Sequence, residues 1–164
     1  MLILDTIILW VHLFCAVLFV GGSFFIWLVV MPSSHRFAKD ESERTQIVGK
    51  IAKDFGTITN PTLVVLILTG IYNASWYLGS FQNLVSFQNY GDKVLFVKTV
   101  LVLVLVVLIY AHGVYYGKKI VRLAREKDLE GLKETRKRSR VISYTNLALM
   151  LAILLLAAML QTPP

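Results

Sequence analysis

Between Thr6 and Ser34 the chain has no aspartate, glutamate, lysine or arginine, and the only basic side chain there is the imidazole of His12. Only 16% of residues are charged, against 56% hydrophobic, and the charges fall in clusters. That distribution excludes an ordinary soluble domain and predicts an integral membrane protein, since about 20 apolar residues suffice to cross a bilayer. Cysteine is nearly absent. Cys15 stands alone, so no intramolecular disulfide can form, and it reads as a small packing residue. The N-terminus lacks the basic region and small-residue cleavage site of a signal peptide, so the first apolar segment is expected to be retained.

The net charge of +7 does not indicate nucleic acid. The basic residues lie in two loops between apolar runs, without a basic groove interleaved with aromatics. Five Lys and Arg residues fall in 35–54, ten in 118–140, and none between Gly79 and Asp92. The positive-inside rule then puts both basic loops in the cytoplasm and both termini outside. The expected location is the plasma membrane, multi-pass, in contact with membrane lipid.

Four spans are expected, at about 3–31, 57–78, 93–117 and 141–160, in an all-α, four-helix antiparallel bundle. The first should end at Pro32-Ser33-Ser34. Its Gly21-Gly22-Ser23 allows close helix approach. Residues 35–54 read as a helical cytoplasmic loop. Asn60-Pro61 is placed near the inner end of span two, where proline is tolerated in a first turn. Residues 79–92 repeat Phe-Gln-Asn at Phe81 and Phe87 and read as an outer loop or interfacial half-helix capping the bundle.

The two halves match at a constant offset of 86 residues. Leu9-Trp10-Val11-His12 overlies Leu95-Phe96-Val97-Lys98, Arg36 overlies Arg122, and Thr59-Asn60 overlies Thr145-Asn146. The polar coincidences suggest a duplicated helical hairpin, with repeats at about 1–79 and 87–164, related by an axis along the membrane normal.

Polar residues inside spans are candidates for function. At about 1.5 Å rise per residue, His12 lies roughly 10–13 Å below the outer end of its span and Lys98 roughly 6–9 Å below that of span three. Asn73 falls in the same outer layer, with Asp5 above it. His112, about 21 Å further down its helix than Lys98, belongs with Asn60 and Asn146 in an inner layer. His12 can be a haem or metal ligand, a proton carrier, or a packed residue bonded to a carbonyl. Lys98 can face inward or snorkel to the head groups. His112 is expected to pair with Asn146.

The stretch Trp10-Val11-His12…Val20-Gly21-Gly22…Met31-Pro32 resembles the first helix of copper-resistance-protein-D-like (CopD) membrane domains and is similar also to HemJ-type protoporphyrinogen oxidases. Asn60-Pro61…Thr69-Gly70, Lys98…Tyr110-Ala111-His112-Gly113 and Asn146 extend the likeness over nearly the whole chain. The HemJ-type resemblance implies haem b ligated by His12 and Lys98, and oxidation of protoporphyrinogen IX with electrons passed to a membrane acceptor such as a quinone. The chain departs from that pattern around Trp27–Val30, where an arginine is expected, and at Gly49-Lys50-Ile51-Ala52-Lys53.

The favoured expectation is a b-type haem redox protein. His12 and Lys98 serve as iron ligands, Asn73 and His112 as further cofactor contacts, and Lys98 and Asp5 as catalytic groups. Its porphyrin or quinone ligand sits in the bundle, and a homo-oligomer or membrane-complex partner fits the same reading. The alternatives are copper or small-solute transport and a non-catalytic membrane subunit. Copper prefers soft ligands, and Met1, Met31, Met150, Met159 and Cys15 form no motif within one span.

Overall fold

The computed structural model describes residues 2–79, 85, 87, 89–126 and 128–160. These residues form helices and no strand. In order they are α1 (Leu2–Phe25), a π-helical turn (Ile26–Val30), α2 (Met31–Phe37), α3 (Glu41–Leu78), α4 (Tyr90–Ala111), a second π-helical turn (His112–Gly117), α5 (Lys118–Glu126) and α6 (Leu129–Met159). Joined across the π turns they make four long helices, each apolar enough to cross a membrane: Ile3–Phe37, Glu43–Leu78, Tyr90–Glu126 and Glu130–Met159. Half of the expected outer loop at 79–92, Phe81 included, and the terminal prolines lie outside the described residues.

The start of each inner-side helix is written in the sequence. Asp40 caps α3 by accepting the Glu43 N–H at 2.7 Å, while the Glu43 carboxylate accepts the Lys39 N–H at 2.7 Å. Two otherwise orphaned donors are satisfied reciprocally. Asp128 caps α6 through the Gly131 N–H at 2.9 Å. At the outer end, Gly79 closes α3 with φ of 65°, a backbone angle that favours glycine.

Two boundaries differ from those expected. The first long helix does not stop at Pro32 but continues to Phe37. The π turn at 26–30 resets the hydrogen-bond register, so Pro32 falls in the first turn of α2, where a missing N–H costs little. Residues 41–56 are not a separate loop helix; they are the inner half of α3. Pro61 therefore sits inside a 38-residue helix. Around it the hydroxyls of Thr57, Thr59 and Thr62 donate to carbonyls one turn back. Membrane helices tolerate interior proline in such surroundings.

The first and second long helices pack antiparallel. Contacts run from Asp5–Tyr72 through Gly70 under His12 and Phe55 against Gly22 to Arg44–Ser34. A Cβ at Gly22 would lie 2.5 Å from the Phe55 ring, so this glycine sets a close approach; one at Gly21 would meet nothing. α4 packs on α6. Phe19, Leu63, Leu105 and Met150, one from each long helix, form the buried core. Around the outside, large apolar side chains stay exposed, Trp10 at 63%, Val107 at 66% and Leu155 at 64%. Four helices with apolar flanks on this scale require lipid as solvent. The protein is an integral, multi-pass, all-α membrane protein.

On the basic-loop side a polar cluster ties the hairpins together. Glu41 accepts from Arg44 at 3.0 Å and pairs also with Arg136, which reaches Thr45 as well. Arg44 Nε donates to Ser34 Oγ at 3.2 Å. One carboxylate thus holds guanidinium groups from α3 and α6.

Candidate functional site in the outer half of the bundle

His12 lies half-buried on the inward side of α1. Its ring lies against Gly70 of α3, where an added Cβ would come within 3.1 Å of Cε1. Its Nδ1 is 2.9 Å from the Thr69 hydroxyl. That hydroxyl has one proton, and it donates to the Val65 carbonyl at 2.7 Å, with Leu66 O a second acceptor at 3.2 Å. With that proton on Val65, the oxygen accepts toward His12, which corresponds to the imidazole tautomer protonated on Nδ1 with a lone pair on Nε2; the Leu66 carbonyl is a further backbone partner of the ring. This is how proteins commonly orient a metal-binding imidazole, with the other nitrogen's N–H given to an oxygen.

Lys98, on α4, is half-buried and within electrostatic reach of His12. Its ammonium bonds no acceptor among the described residues. Asn73 stands one helical turn outward of Thr69 on the same face of α3. Its Nδ2 is buried and has no hydrogen-bond partner among the described residues. Among the described residues the outer layer therefore holds two donors without a hydrogen-bond acceptor, Lys98 and Asn73, on the helices that flank His12. Asp5 is engaged elsewhere: its carboxylate accepts the Tyr72 hydroxyl at 2.7 Å, stitching α1 to α3 near the outer surface.

His112 is held separately. Its Nε2 is 2.7 Å from Ser139 Oγ on α6. The pairing with Asn146 expected from depth does not form, and Asn146 keeps a buried Oδ1 without a partner among the described residues. Ser139 lies opposite the π turn that begins at His112. Thr69, Tyr72 and Ser139 are the site residues that sequence reading did not single out. For Thr69 a signal existed: a hydroxyl beside a glycine, on the helix facing the histidine.

Cys15 follows His12 by three residues, which places both on one side of α1, and it is buried. Among the described residues no group of three or more His, Cys, Asp or Glu side chains is close enough to hold a metal ion. A metal at His12 would be held by few ligands.

The family model described as Copper resistance protein D matches residues 49–160. No curated protein matches, and no solved structure does.

Proposed function

The chain belongs to the copper resistance protein D family, and on that premise we propose that it handles copper within the membrane, with His12 as the group that meets the metal. The observation that carries this reading is the Thr69 hydroxyl. A Thr69 hydroxyl that donates to Val65 can accept from His12 Nδ1–H, and in that tautomer Nε2 would be the nitrogen to meet a metal. Cys15 on the same side of α1 supplies a soft second donor of the kind monovalent copper selects. A site with few ligands suits a cargo ion that must leave again. A permanently bound structural metal usually has four protein ligands.

The test is copper binding by the purified protein. Monovalent copper is titrated against a competing chelator, in the full-length protein and in His12→Ala. One copper per chain, lost in the variant, is the expected outcome. Equal binding by the two would remove His12 from the reading.

A second reading is supported by the unanswered donors. A b-type haem could be ligated by His12, with Lys98 either as the opposite ligand in its neutral form or as the cation for a propionate. Asn73 Nδ2 offers the same anionic group a hydrogen bond. The donor set fits on that account, and a bound haem would supply one-electron chemistry tuned by its axial ligands and burial. Protoporphyrinogen oxidation or quinone-linked electron transfer would follow from it. An absorption spectrum separates the two readings. A Soret band lost in His12→Ala supports haem, and its absence from a copper-binding protein supports the first.

A further inference from the structure

Just past the apolar run Val100–Ile109, the third long helix and the inner half of α3 enclose a groove. Lys53 of α3 lines one side, and Lys118, Arg122 and Arg125 line the other. Gly113 and Gly117 form part of its lining within the second π turn, and Val121 adds apolar surface. Among the described residues no carboxylate lines it. Arg122 Nε is 3.8 Å from Glu126, with both side chains exposed.

The glycines are the informative part. Glycine weakens a helix interior and is usually explained there by a close neighbour. At Gly113 and Gly117 an added Cβ would meet nothing within 4 Å. They are four residues apart, hence on one helix face. Helix packing does not account for them, and what they leave is room along that face.

Depth narrows the occupant. Gly113 lies about 6 Å past Ile109 along the helix and Lys118 about 14 Å past it. Side chains on a helix lean toward its N-terminus, here toward the bilayer, so the long Lys and Arg stems reach back to the head-group level. Trp27 against Tyr144, at 5.0 Å between ring centroids, and the neighbouring Tyr115 and Tyr116 mark the same interfacial belt. A cationic groove between spans at that level suits the head group of an acidic lipid.

We propose that this groove binds an anionic phospholipid of the leaflet on the basic-loop side, with its phosphates held by Lys53, Lys118, Arg122 and Arg125 and its glycerol backbone lying over Gly113 and Gly117. Four cations match a two-phosphate head group of the cardiolipin type better than a single phosphate.

The full-length protein is tested in detergent by lipid titration read by native mass spectrometry. Cardiolipin should be retained best, phosphatidylglycerol next and phosphatidylcholine least. Lys118→Gln with Arg122→Gln should weaken cardiolipin retention about 25-fold, from about five-fold per surface cation. Gly113→Leu with Gly117→Leu keeps every charge and fills the groove, and should abolish the preference for cardiolipin. If that variant fails to fold, the charge variant decides alone. Equal retention of phosphatidylcholine overturns the proposal. So does unchanged retention in the charge variant, or wild-type retention in a folded glycine variant. Displacement of cardiolipin by inorganic phosphate at matching concentration would also overturn it, indicating a free-anion site instead.

Discussion

At the scale of single residues, metal binding at His12 turns on a hydrogen-bond direction. Thr69→Val keeps the shape of the side chain but removes the acceptor that holds the His12 Nδ1–H. Copper affinity should fall by 10–100-fold, the usual cost of losing such an orienting partner, while the helical circular dichroism signal stays unchanged. Gly70→Leu acts on the same imidazole by bulk. The ring already lies where the first added carbon would be 3.1 Å away, so copper binding should be lost although no ligand atom has changed. An unaltered affinity in both variants would mean that the metal does not use His12. The sequence made His12 visible through its isolation in an apolar run, and Lys98 likewise. It could not reveal that the Thr69 hydroxyl meets His12 Nδ1, which depends on two helices meeting. Nor could it find Ser139 as the partner of His112. That pairing sits at the start of a π turn, and the local hydrogen-bond register is not written in hydropathy.

At the scale of elements, close approach and capping carry the stability. Gly22→Leu forces a side chain into the Phe55 ring and should destabilise the first hairpin by about 1–3 kcal/mol, the range for overpacking, read as a lowered thermal midpoint in detergent. Glu41→Gln leaves Arg44 and Arg136 without their shared carboxylate. Because Glu41 is partly exposed, its cost should be on the order of 1–3 kcal/mol. Arg138→Gln, which loses only an exposed partner in Glu134, should change the midpoint little. The helix starts at Asp40 and Asp128 were legible as capping residues. The length of α3 was not. Lys50, Lys53 and Asp54 interrupt its apolar pattern and look like the end of a span. They are the part of one continuous helix that extends beyond the hydrocarbon.

At the scale of the molecule, the two π turns begin at Ile26 and His112. These positions are 86 residues apart, the same offset that aligns His12 with Lys98 and the core residue Phe19 with the core residue Leu105. From this we propose that the bundle is two copies of one hairpin, each with a polar residue in its outer half and a π turn in its inner half. The basic loops then face one side together. Single cysteines placed at Lys39 and Lys133, in a Cys15→Ser background, should react with an impermeant maleimide only in inverted membranes. One placed at Gly79 should react only in right-side-out cells. Labelling of Gly79 and Lys39 from the same side would contradict the four-span topology. The fold class was readable because lipid-facing composition and loop charge are global properties. The site was only half readable because it is assembled between elements.

His12 is the residue proposed to offer a ring nitrogen to a metal in the outer half of the bundle. The most direct measurement is copper content and absorption spectrum, on one preparation, for the wild-type protein, His12→Ala and His112→Ala. About one copper per chain is expected in the wild type and in His112→Ala, none in His12→Ala, and no Soret band in any of them. Copper retained in full by His12→Ala would contradict that role of His12.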